Sequence, residues 1–125
     1  MALISRDDEH HQWIDAHLDS LPWPWVTCEA ALTEAFYLIG DHGGPQLIAM
    51  IQRGALKSVF SLALEMNPVL ALMKKYSDVP MSLADACLVR MTETLPDPIV
   101  LTTDADFRIY RRHSRHVIPC LLPWG

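Results

Sequence analysis

No two cysteines are closely spaced, no apolar run reaches the length of a secretory leader or membrane span, and basic residues fall short of acidic ones. Each shortage excludes something. Cys28, Cys87 and Cys120 are odd in number, far apart and set among apolar residues, which argues against a zinc ribbon or a C-x-x-C redox motif and for buried free thiols in a reducing compartment. The opening Met1-Ala2-Leu3-Ile4 turns charged at Arg6-Asp7-Asp8-Glu9, too soon for a signal peptide or a span. A cytoplasmic protein without membrane contact is expected. Ten basic residues against fifteen acidic ones leave a net charge of -5, so any contact with nucleic acid must come from how charge is distributed. The distribution is uneven, because Arg108, Arg111, Arg112 and Arg115 are clustered with His113 and His116. There is no internal repeat and no low-complexity tract.

The 125 residues are half hydrophobic and one-fifth charged, the composition of one well-packed domain. Apolar spacing predicts a surface helix from about Glu9 to Leu18, ended by Leu21-Pro22-Trp23-Pro24. A short strand follows at Trp25-Val26-Thr27, with Thr27 placed to cap a largely buried helix through Ala31, Leu32, Ala35, Phe36, Leu38 and Ile39. Gly40-Asp41-His42-Gly43-Gly44-Pro45 is expected to break the chain, Pro45 to open another helix through Ile51, and Gly54 to end it. Leu56 to Ala63 reads as strand-like, and Asn67-Pro68 opens a helix toward Tyr76. Ser82 stands three residues before Asp85, the spacing of a capping box, at the head of a helix through Met91. After Pro96-Asp97-Pro98, Ile99 to Thr102 reads as a strand buried on both faces. A helical turn through Phe107 and Tyr110 then leads to a last strand, His116 to Leu122. Alternating strands and helices imply an α/β fold with a central parallel sheet flanked by helices.

In such a sheet the ligand site lies at the carboxyl ends of the strands. Asp104 and Asp106 directly follow Ile99 to Thr102, Asp85 is in the first turn of the preceding helix, and Glu34 is a lone acid in an otherwise apolar helix. Clustered carboxylates need a cation to stay ionised together, and magnesium or manganese takes oxygen ligands. The ion would polarise a phosphate oxygen and help form the attacking hydroxide. Taken singly, Asp85 and Asp104 are also what helix caps look like, and Glu34 could face solvent.

The segments TCEAALTEAFYLIG, KYSDVPMSLADACLVRMTE and VLTTDADFRIYRR, with RDDEHHQW near the start, resemble the PIN-domain family, specifically the ribonuclease toxins of bacterial VapBC toxin–antitoxin pairs. The resemblance runs over nearly the whole chain, and the later two segments are its specific part. It implies a PIN-like three-layer domain over residues 1–125. Glu34 matches the family's inner-helix glutamate, Asp85 its helix-start aspartate, and Asp104 and Asp106 its pair after the strand. It also implies a magnesium-dependent endoribonuclease acting on structured RNA such as tRNA, homodimeric and inhibited by a cognate antitoxin. The family opens with a hydrophobic strand ending in Asp, and the chain is expected to begin inside the stretch after it. The first central strand and first aspartate would then be missing, through a start assigned roughly ten residues too late, about one strand and its turn. Asp7 and Asp8 are not substitutes.

The arginine cluster from Arg108 to Arg115 suits RNA phosphates, since guanidinium pairs with phosphate oxygens, and equally suits a solvated helix pairing with local acids. His10, His11 and His17 read as exposed helix residues, and Trp13, Trp23, Trp25 and Trp124 as packing. A second functional class is a catalytically inactive PIN-like binding module that keeps the dimer and antitoxin surfaces. A third, a phosphatase or receiver domain, needs an Asp-rich first strand end and a nearby Lys, and Lys57, Lys74 and Lys75 lie in the wrong half of the chain.

Overall fold

A computed structural model describes residues 2–4, 25–102 and 105–121. The predicted helix from Glu9 to Leu18, Asp7, Asp8, His10, His11, His17, Trp13, Trp23, Trp124 and Asp104 lie outside the described residues. Five parallel strands form one sheet in the order β3-β2-β1-β4-β7: β1 (Ala2–Ile4), β2 (Trp25–Thr27), β3 (Leu56–Ser58), β4 (Ile99–Leu101) and β7 (Cys120–Leu121). Helix α1 (Glu29–Gln52) joins β2 to β3, and α2 (Leu62–Lys75) and α3 (Leu83–Thr94) lie between β3 and β4. A 3-10 turn (Ala105–Arg108) and an antiparallel hairpin of β5 (Arg111–Arg112) and β6 (His116–Val117) precede β7.

The centre of the sheet corrects one expectation. The strand read as missing is present: Leu3 pairs with Val26 on one side and Val100 on the other. Ala2-Leu3-Ile4 is apolar with a β-branched end, enough for a strand whose neighbours supply a ladder on each side. No strand edge is left unpaired in the middle of the sheet.

Successive strand residues point to opposite faces, and the core divides accordingly. Val26 and Val100 join Val69, Leu88 and Phe107 in one apolar cluster, while Trp25 and Leu101 join Ala35, Leu47 and Leu56 in the other. Helix α1 contributes Ala31 to the first and Ala35 to the second.

Several local readings change. Gly40 to Pro45 does not break the chain, and α1 runs through it with Pro45 inside. Its inward residues Ala31, Ala35 and Leu47 bind it to the core at both ends, so burial outweighs the hydrogen bond that Pro45 removes. Cys28, not Thr27, is its N-cap and makes no side-chain capping bond. The strand at Leu56 stops at Ser58, and α2 starts early because Ser61 accepts a bond from the Leu64 amide. Within α2, Glu65 leaves helical geometry, three residues before Pro68, whose ring displaces the preceding turn. The expected last strand from His116 to Leu122 splits into hairpin strand β6 and sheet strand β7.

Candidate functional site at the carboxyl edge of the sheet

All five sheet strands run the same way, so their carboxyl ends share one edge. The helices that follow β2 and precede β4 both begin there. Asp85 is held at this edge by the predicted capping box: its amide donates to Ser82 Oγ at 3.0 Å, and its Oδ2 accepts the Ser82 amide at 3.1 Å. Asp85 is 6% exposed, and the same Oδ2 faces the Tyr110 hydroxyl at 3.5 Å.

Tyr110 connects Asp85 to the segment after β4. Its amide donates to the Asp106 carbonyl at 3.2 Å, and its ring meets Phe107 and Tyr76 edge-on, with centroids 5.3 and 5.1 Å away. The Tyr76 hydroxyl accepts from the Arg111 amide at 3.0 Å, which ties the 3-10 turn and hairpin to the end of α2. Asp106 itself is half-buried. Sequence reading missed Tyr110 as a site residue; its signal was position, four residues after Asp106 and in the run already singled out.

Glu34 departs from its expected place. It is exposed, with Thr33, Phe36 and Tyr37, while Ala31 and Ala35 face inward. Helix α1 is therefore two-sided here and not apolar around most of its circumference. Glu34 still lies near this edge, since its charge helps raise the Cys28 thiol, although burial is the larger cause of that shift.

The arginine cluster is a hairpin and not a helix. Arg112 directs its guanidinium at the Thr92 and Leu95 carbonyls, the latter at 3.1 Å, and so closes the carboxyl end of α3. Arg111 donates to the Arg108, Ile109 and Tyr110 carbonyls at 2.6, 3.1 and 3.1 Å. Those bonds give both half-buried side chains a structural role, whereas Arg108 and Arg115 are exposed. The hairpin is further fixed by the His113 amide, which donates to Glu93 Oε2 at 2.7 Å.

The acidic residues offer oxygen donors, the right kind for magnesium. In number they are incomplete: among the described residues no three His, Cys, Asp or Glu gather closely enough to hold an ion, and Asp104 is outside them. Also among the described residues, no helix is long and apolar enough to cross a membrane. Compared with family models, curated proteins and solved structures, the chain matches none.

Proposed function

We propose that the chain is a PIN-type metal-dependent endoribonuclease, with Asp85, Asp104 and Asp106 as its acidic centre and Glu34 at the rim. The observation that carries this reading is the Asp85–Tyr110–Asp106 connection at the carboxyl edge of a parallel sheet, where open α/β sheets place their ligands. The Tyr110 hydroxyl faces the Asp85 carboxylate and the Tyr110 amide bonds the Asp106 backbone carbonyl, so the turn that carries Asp106 is tied to Asp85, and carboxylates gathered there would be stabilised by a divalent cation. A bound magnesium or manganese ion would supply polarisation of the phosphate and a more acidic water. The protein's part is to fix the carboxylates: the capping box holds Asp85, and the 3-10 turn holds Asp106. Arg108, in that turn, and Arg115, in the hairpin, are the side chains to meet RNA phosphates. A cognate antitoxin, a homodimer and a tRNA-like substrate belong to this proposal through the family resemblance.

One observation favours the inactive binding module instead. Asp85 is already engaged by Ser82 and Tyr110, and the described acids do not form a three-ligand group. The test is cleavage of a structured RNA by the full chain in magnesium or manganese, with Asp85→Asn, Asp104→Asn and Asp106→Asn alongside and folding checked by circular dichroism. The nuclease reading expects cleavage that chelation abolishes and that each variant lowers by about 100-fold or more, since even partners beyond a metal's own ligands are worth about 10–100-fold. A folded chain silent with both ions is the inactive module. Cleavage unchanged in all three variants moves the chemistry to another site.

A further inference from the structure

A second chemical feature lies beside the acidic edge and is independent of the nuclease reading. Cys28, the N-cap of α1, and Cys87, in α3, are both about 1% exposed and belong to the same apolar cluster. The two thiols are near enough for Cys28 to help raise Cys87. Both also line a cavity of about 300 Å³ shared with Glu29, Phe60, Ser61 and Leu62, several times the roughly 30 Å³ of a water molecule. Two thiols thus share the wall of one space that admits a small reagent.

We propose that Cys28 and Cys87 are a redox-reactive dithiol that a hydroperoxide converts to an intramolecular disulfide, fastening the start of α1 to α3.

The two sulfurs are not equivalent. Cys28 sits at the positive head of α1, a position that favours a thiolate, against the burial that raises it. Cys87 lies inside α3, and burial followed by the nearby Cys28 pushes it up to about 12. Cys28 is therefore the attacking thiol. Its thiolate displaces on the peroxide oxygen, the O–O bond breaks, and protonation of the departing oxygen leaves a sulfenic acid and water, or an alcohol from an organic hydroperoxide. The Cys87 sulfur then attacks the sulfenic sulfur, the S–O bond breaks and a second water leaves with the Cys87 proton. Two electrons pass from the two thiols to one peroxide. The product is neutral, as an apolar interior favours.

Cys120 is the internal control. Its Sγ faces the Ile118 carbonyl at 3.1 Å and the Phe107 carbonyl at 3.8 Å, away from the cavity lining. The full chain is treated with hydrogen peroxide, denatured and alkylated, and its peptides are mapped without reduction. The expected result is a loss of mass equal to two hydrogen atoms, a link between the Cys28 and Cys87 peptides, alkylation at Cys120 and reversal by dithiothreitol. Cys120→Ser should behave identically. In Cys87→Ala, which has no resolving thiol, Cys28 should accumulate as a sulfenic acid trapped by dimedone. Cys28 and Cys87 both remaining alkylatable after peroxide treatment overturns the proposal, as does a link that uses Cys120 or joins two chains. Trapping at Cys87 in Cys28→Ala without trapping at Cys28 in Cys87→Ala overturns the assigned order.

Discussion

The cysteines make stability depend on alkaline pH. Burial, then the charge and hydrogen bond of Cys28, raise Cys87 from 9.0 to about 12, and burial raises Cys120 to about 11 despite the opposing charge of Arg108. A thiol raised on folding keeps its full contribution below the unfolded value and loses it as pH climbs toward the folded one. Between about pH 9 and 12 the unfolded chain releases the Cys87 proton while the folded chain keeps it, which costs about 1.4 kcal/mol per pH unit. Thermal unfolding under reducing conditions should therefore show a midpoint that falls more steeply above pH 9 than in Cys87→Ala; equal slopes would remove Cys87 as the cause. Burial of all three thiols was expected from their apolar surroundings, and Cys28 and Cys87 are buried while Cys120 is half-buried. That Cys28 and Cys87 share one cluster and one cavity wall was not legible, because proximity of positions far apart in sequence is set by how α1 packs on α3. Asp85 was legible through a local rule, the Ser82 spacing. The exposure of Glu34 and the carbonyl partners of Arg112 were not legible, because both depend on which side of an element faces the core, and composition of the neighbouring residues does not determine that side.

At the scale of elements, the end of α1 follows the sequence closely. The Gly54 amide donates to the Ile51 carbonyl at 3.2 Å and the Ala55 amide to the Met50 carbonyl at 3.0 Å, the paired bonds of a Schellman ending. Gly54 has φ of +80°, and a methyl there would meet only Lys57 Cε at 3.8 Å, so the cost of Gly54→Ala is conformational. About 1–2 kcal/mol of destabilisation is expected, read as a drop in melting temperature of several degrees; an unchanged midpoint would argue against the left-handed backbone. Glycine marked this stop correctly because one residue suffices to end a helix. Gly40 to Pro45 misled for the complementary reason: a weak local preference yields when residues before and after it are buried together. The kink at Glu65 has a tertiary counterpart, since Arg90 Nε bonds Glu65 Oε2 at 2.8 Å and its Nη1 meets Glu93 at 3.3 Å, fixing the bent end of α2 against α3. The pair is about one-quarter exposed, so its effect is chiefly on geometry.

The whole molecule depends on three residues at its beginning. Strand β1 lies between β2 and β4, with Ala2 and Leu3 in register on both sides and Ile4 opposite Leu101, so it joins the half of the sheet containing β2 and β3 to the half containing β4 and β7. An alternating α/β pattern was enough to read the parallel sheet, because each strand and helix carries its own periodicity. The family resemblance instead placed Ala2–Ile4 in the stretch after the first strand, and three apolar residues carry no period of their own to set against that. A proline at Leu3 decides between these placements. Every amide of a central strand faces one neighbour or the other, and proline has none, which confines it to sheet edges. Losing that bond and leaving a buried carbonyl without a partner subtracts from a net stability of only about 5–15 kcal/mol. Leu3→Pro should therefore lose cooperative thermal unfolding and elute as an expanded chain, while Leu3→Val, which keeps the amide and the strand preference, retains both. A Leu3→Pro protein that melts like the parent would place the opening residues outside the sheet, and the two halves would then have to be joined by some other strand.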